Sequence, residues 1–258
     1  MYKEREIISP RAPVQNLTTI PIDLSKEWKK ALKTVAPNLV VSEDANWQQL
    51  KSAQTREALL QSTLECLAEV GYARTTTQLV TERARISRGS MLHHFKSKQE
   101  LIKQAIEYTL LKRIMRFYED IQKLTVAERI VEIAGLEVYW KTMRTPEYEA
   151  YIELAMASRT DEEVRKIFEP QDRKFQEFWQ SQLPELFPEW KEKKQELQLA
   201  RDLVLTSMQG LFMNMHVIDE KRRRVQLRKL LISITSLIIN GELELPDVST
   251  TDIKNMHE

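Results

Sequence analysis

The chain has 258 residues, of which 42% are hydrophobic and 30% charged, with a formal net charge of +1. That balance describes a soluble folded protein with room for one large domain or two packed ones, and excludes a disordered chain. The 5 glycines are too few for sheets with many tight turns or for Gly-rich phosphate loops, so the expected class is all-α.

The single cysteine, Cys66, leaves no internal disulfide and suits a reducing, cytoplasmic setting. It falls within an apolar helical pattern and reads as a buried, inert thiol. The opening MYKEREIISPR lacks the apolar core of a signal peptide. No run approaches the roughly 20 apolar residues of a membrane span, so no membrane partner is expected. Charge is uneven along the chain. Residues 51–116 carry twelve Lys/Arg against six Glu, a net of +6, whereas residues 117–258 carry twenty against twenty-six Asp/Glu, a net of −6. A basic segment beside an acidic one suggests a polyanion-binding part joined to a part that binds something else; the alternative is solvated surface charge spread by chance.

Residues 1–50 read as an extension. Pro10, Pro13 and Pro21 keep its start extended, and Leu24, Trp28, Leu32 and Val35 then recur at one-turn spacing in a short amphipathic helix after Ser25. That helix packs either on the main body or on a partner. From about 52 onward the helical pattern is nearly continuous. Helices are predicted over about 52–70, 76–84, 87–94, from Ser97 into the 120s, and over about 126–143, 146–157, 161–181, 190–218 and 222–240. Capping boxes read at Thr75–Gln78, Ser97–Glu100, Thr125–Glu128 and Thr160–Glu163, and Thr145-Pro146 supplies a cap followed by proline at the first helical position. Gly71 and Gly241 sit where helices end. The resulting division is 1–50 extension, 51–100 nucleic-acid-binding head, 101–242 larger helical domain and 243–258 polar tail.

Two short helices joined by a tight turn, with a longer helix on each side, form a helix-turn-helix pattern. The second would present Ser87, Arg88, Gly89, Ser90 and His93. Small residues there let the backbone approach a DNA groove, and Arg88 can donate two bonds to a guanine edge. Ser87 can cap the helix or meet a phosphate, and Lys96 and Lys98 lie where a phosphate strand would pass. Met91 and Phe95, one turn apart, face inward. The pair His93-His94 raises three alternatives: metal, phosphate, or plain solvated surface. Metal is disfavoured, because helical neighbours point about 100° apart and the only cysteine lies in another helix. Phosphate or base-edge contact by His93, with His94 half packed, is the favoured reading.

Residues 56–104, REALLQSTLECLAEVGYARTTTQLVTERARISRGSMLHHFKSKQELIKQ, resemble the DNA-binding domain of TetR-type (tetracycline-repressor-like) transcriptional regulators. The resemblance runs through Gly71-Tyr72, Thr75–Thr77, Ile86-Ser87, Arg88-Gly89-Ser90, His94-Phe95 and Lys98. It implies a homodimer reading a palindromic operator, released by a small-molecule inducer that binds an all-helical C-terminal domain. Carried over by position, the DNA contacts fall on Thr77, Gln78, Ser87, Arg88, Gly89, Ser90, Leu92, His93, His94 and Lys98. Three positions depart from the family pattern. Arg85 replaces a turn glycine, at the cost of a left-handed residue unless it gains a phosphate contact. Thr81 replaces a core alanine. Leu92 replaces a tyrosine whose hydroxyl meets phosphate.

The C-terminal half is rich in soft and aromatic side chains. Met143, Met156, Phe175, Phe178, Trp179, Met208 and Phe212 would suit an apolar or amphipathic ligand, with His216, Asn214 and Gln209 as a polar end, although ordinary core packing explains each of them as well. Two stripes would pair with a second copy in a four-helix interface: Leu199, Leu203, Thr206, Gly210 and Met213 on one helix, Leu227, Leu231, Ile234 and Ile238 on the next. The run Lys221-Arg-Arg-Arg224 reads as a solvated turn. An enzyme is not expected, for the chain has no HExxH, Walker loop, G-x-S-x-G or cysteine–histidine cluster. No metal or cofactor is expected either. The rival reading is a helical adaptor that binds protein through its head, which the basic bias of 51–116 disfavours.

Overall fold

The computed structural model of the chain describes residues 46–125, 132–186 and 192–243, together with Val35. Among these the regular elements are helices: α1 Trp47–Val70, α2 Thr77–Ala84, α3 Arg88–His94, α4 Lys98–Gln122, α5 Glu132–Thr142, α6 Pro146–Ser158, α7 Glu162–Leu186, α8 Lys194–Met213 and α9 Lys221–Asn240.

Several starts differ from the sequence expectation, each for a local reason. α1 begins at Trp47 rather than near 52. The Asn46 side chain accepts from the Gln49 N–H at 3.0 Å, and the Gln49 side chain accepts from the Asn46 N–H at 2.8 Å. This box precedes the apolar periodicity, so the periodicity missed it. α2 is capped by Thr76, whose hydroxyl accepts from the Leu79 N–H. Thr75 is instead buried, and its hydroxyl donates to the Gly71 carbonyl at 2.8 Å. Ser97 caps α4 through the Glu100 N–H, but the Glu100 carboxylate reaches the Lys96 N–H, one residue earlier than the box predicts. At α7 Asp161, not Thr160, accepts from the N–H groups of Glu163 and Val164. An ionised acceptor at a helix start outcompetes a neutral hydroxyl. The box read at Thr125–Glu128 and the helix after Ser25 lie largely outside the described residues; Val35 is helical and buried.

α1 packs against α2, α3, α4 and α6, and α4 continues past it to touch α5, α6 and α7. One apolar core runs without a break from Leu59 and Leu64 of α1, through Met91 and Phe95, to Tyr148, Phe175 and Leu231. The boundary expected at residue 100 therefore falls within the first turn of α4, which belongs to both the head and the larger part. Cys66 is fully buried, and burial pushes its thiol up. α8 and α9 pair with each other, with Ala200, Ile238 and Ile239 closed between them.

Candidate nucleic-acid interface and ligand cavity

The head is built on α3 and its turn. Ser87 has an extended backbone, and its hydroxyl accepts from the Ser90 N–H at 3.1 Å. That hydroxyl is the helix cap. Met91 and Phe95 are buried, and they fix the inner face of α3 on the core. Arg88, Gly89, Leu92 and His93 are therefore exposed, and Ser90 and His94 are half-buried. A Cβ added at Gly89 would meet nothing within 4 Å, so no packing inside the molecule calls for glycine there. Thr77 is half-buried and Gln78 exposed, with its amide donating to Glu82 at 2.9 Å. Thr81 is buried, and its hydroxyl donates to the Gln78 carbonyl.

Arg85 adopts the left-handed conformation, φ 57° and ψ 40°, and is the only non-glycine residue with positive φ among those described. Its N–H and that of Ile86 close the end of α2 on the Glu82 and Thr81 carbonyls. Arg83, two residues earlier, ties α2 to α1 through Glu69 at 2.7 Å. Lys98 holds its ammonium 5.1 Å from the centre of the Tyr72 ring. The His93 and His94 rings are 5.5 Å apart and steeply inclined. Burial lowers the His94 pKa, aided by the neighbouring His93 and Arg56 charges. Among the described residues no three His, Cys, Asp or Glu side chains gather in a way that could hold a metal.

The larger part holds a partly open cavity of about 160 Å³. Of the residues read as ligand contacts, Phe175 and Trp179 line it, as does Gln209. Met143 and Met208 are buried elsewhere in the core, and Phe178 packs edge-on against Trp179. Phe212 packs against Tyr148, while Met156 and His216 are exposed. Asn214 caps α8 from outside. The polar groups that do face the cavity include Arg113 and Arg201, which sequence reasoning missed.

The outer face of α8 carries Leu199, Leu203, Thr206, Gly210 and Met213, none of them buried. On α9 the expected stripe is split. Leu231 and Ile238 are buried within the protomer, whereas Leu227 is 41% exposed and Ile234 half-buried. The exposed residues are Leu227, Leu230 and Leu237, which form a heptad-spaced stripe with the half-buried Ile234. Arg224 of the basic run donates to the Ile218 and Asp219 carbonyls at 2.7 Å and braces the turn before α9.

The two short helices α2 and α3, joined by the turn at Arg85 and held by α1 and α4, form a helix-turn-helix on a larger helical body. Residues 59–105 match the family model described as bacterial regulatory proteins, tetR family. The chain is 26% identical over 125 residues to an uncharacterized HTH-type transcriptional regulator of Mycobacterium tuberculosis, and equally so to one of Mycobacterium bovis. Those alignments span 48% of this chain and 64% of each relative. Its fold resembles the crystal structures of a transcriptional regulator from Rhodococcus sp. Rha1 (20% identity, TM-score 0.53, 72% of this chain and 96% of that one) and of a TetR-family regulator from Cytophaga hutchinsonii (16%, 0.54, 76% and 98%). No helix among the described residues is long and apolar enough to cross a membrane.

Proposed function

We propose that the chain is a ligand-responsive, dimeric transcriptional repressor, which binds a palindromic operator through α3 and leaves it when a small inducer fills the cavity. The exposed face of α3 carries this reading. Arg88, Gly89, Leu92 and His93 stand clear of the molecule on a helix that Met91 and Phe95 pin to the core. Arg88 donates to a base edge, Gly89 lets the backbone sit close to the groove, and Lys98 meets phosphate. Thr77, Gln78, Ser87 and Ser90 contribute from the helix starts. The outer stripes of α8 and α9 close against a second copy, which sets two α3 helices roughly 34–36 Å apart, one turn of DNA.

Two helices connect the cavity to the head. α4 carries Lys98 at one end and Arg113 fifteen residues on, roughly 22 Å along the axis. α6 carries Tyr151 in the cavity wall and Glu153 on the end of α1. A ligand that shifts either one changes the spacing of the heads, and coupling of about 1–3 kcal/mol suffices to change occupancy. The test is selection of fragments of the source genome by the purified protein at two salt concentrations. An enriched palindrome supports the reading, and binding without enrichment defeats it.

A further inference from the structure

We infer that the cavity is an anion receptor, in which Arg113 holds the carboxylate of a small aromatic acid whose ring lies against Leu136, Trp179 and Val204. This rests on the reading of the larger helical part as a ligand-binding unit, and it names what that unit takes.

Arg113 is more than nine-tenths buried, at 8% exposure, and it lines the cavity. Its guanidinium lies 3.9 Å from the ring centre of Tyr151, 4.7 Å from that of Phe175 and 5.1 Å from that of Tyr148. Ring faces attract a cation but supply no in-plane acceptor for its N–H groups. Among the described residues Nη1 finds no hydrogen-bond partner, and no carboxylate lies within ion-pair distance of the group. Two acids on the neighbouring helices have other partners. Glu147 of α6 pairs with Arg116 through Oε1 at 3.2 Å, leaving its buried Oε2 without a hydrogen-bond partner, and Asp172 accepts from the Tyr151 hydroxyl and the Gln176 amide.

A guanidinium stays charged at any physiological pH, and a buried charge is retained only where something offsets it. A ligand carboxylate does so, since its two oxygens match the guanidinium fork. The remaining lining fits this. Among the described residues no Asp or Glu lines the cavity, and a second cation does: Arg201, held by Asp202 at 3.0 Å and by the Gln176 side-chain carbonyl oxygen. Leu136, Leu197, Val204, Leu205 and Ile239 make the rest apolar. A cavity of about 160 Å³ is close to the size that accommodates one benzene ring.

The experiment is calorimetric titration of the intact chain with benzoate and phenylacetate, against benzamide and phenylacetamide of the same shape. The acids are expected to bind at least tenfold more tightly than the amides. Arg113→Met should reduce the acids to the level of the amides, and Arg113→Lys should keep part of the preference. Removing a buried unpaired charge should leave the ligand-free melting temperature of Arg113→Met unchanged or raised. A lowered one would show that Arg113 also braces the fold, and the preference for acids over amides would then decide. If that variant fails to fold, the acid-to-amide ratio of the natural chain decides alone. Amides that bind as well as acids would overturn anion recognition and leave a ligand cavity standing. Failure of both classes to bind would overturn the cavity as a receptor of this size, while DNA selection reports on the head independently.

Discussion

The carboxylate of Glu153 accepts a hydrogen bond from the Tyr72 backbone N–H at 2.7 Å, across 81 positions of sequence. It joins α6 to the second residue past α1, and the Tyr72 ring in turn carries Lys98. A Cβ on Gly71 would lie 2.9 Å from the same carboxylate oxygen, at a φ of +81° that side chains avoid. Glu153→Ala leaves the Tyr72 N–H without its partner and should cost about 1–3 kcal/mol in urea unfolding. Gly71→Ala should cost at least 1 kcal/mol or so through strain and contact together. In the double variant the contact vanishes but the strain persists, so the two losses should fall short of adding. Strict additivity would mean the joint is not a contact under load.

Arg85→Gly should stabilise the protein by roughly 0.5–1 kcal/mol, because only the left-handed strain at the end of α2 is removed. The same variant tests a phosphate contact. If Arg85 meets DNA, the salt dependence of binding flattens by about one charge; otherwise the slope stays.

His94 should make stability depend on pH. Its folded pKa lies below the ordinary histidine value, chiefly through burial, so the unfolded chain takes up the proton first as pH falls. No penalty exists above about pH 6.5, and one grows as pH drops below it. Chemical unfolding from pH 7 to 5 should show this slope, flattened in His94→Gln. An unchanged slope would assign it to other groups.

Much of the head was legible because each of its signals agreed. Met91 and Phe95 lie one turn apart, Gly71 ends α1, and hydroxyls stand before α2, α3 and α4. Which hydroxyl caps was not legible at Thr75-Thr76-Thr77, since three equivalent residues differ only in where the chain turns. α9 misled for another reason. It is apolar on two faces, so Leu231 and Ile238 were as good a stripe as Leu230 and Leu237, and only the packed structure separates core from surface. The cavity arginine was hidden because a charge reads as surface. Its signal was its setting among Leu110, Leu111, Ile114 and Met115, all buried.

That separation gives opposite expectations for neighbouring leucines. If the outer stripes form the proposed dimer, Leu230→Glu with Leu237→Glu should convert it to a folded monomer in light scattering and weaken operator binding. Leu231→Ala should leave the dimer intact but cost about 2–5 kcal/mol of stability. Dimers that persist in the glutamate variants would place the interface elsewhere.

If α3 reads base sequence, Arg88→Ala should show it on the fragments recovered by selection. Binding to the enriched site and to random DNA should be measured for the natural chain and the variant by fluorescence anisotropy at one salt concentration. A loss of about 1–3 kcal/mol is expected on the enriched site, with little change on random DNA. Equal losses on both would make Arg88 a phosphate contact, and no loss on either would contradict the assignment of α3 as the recognition helix.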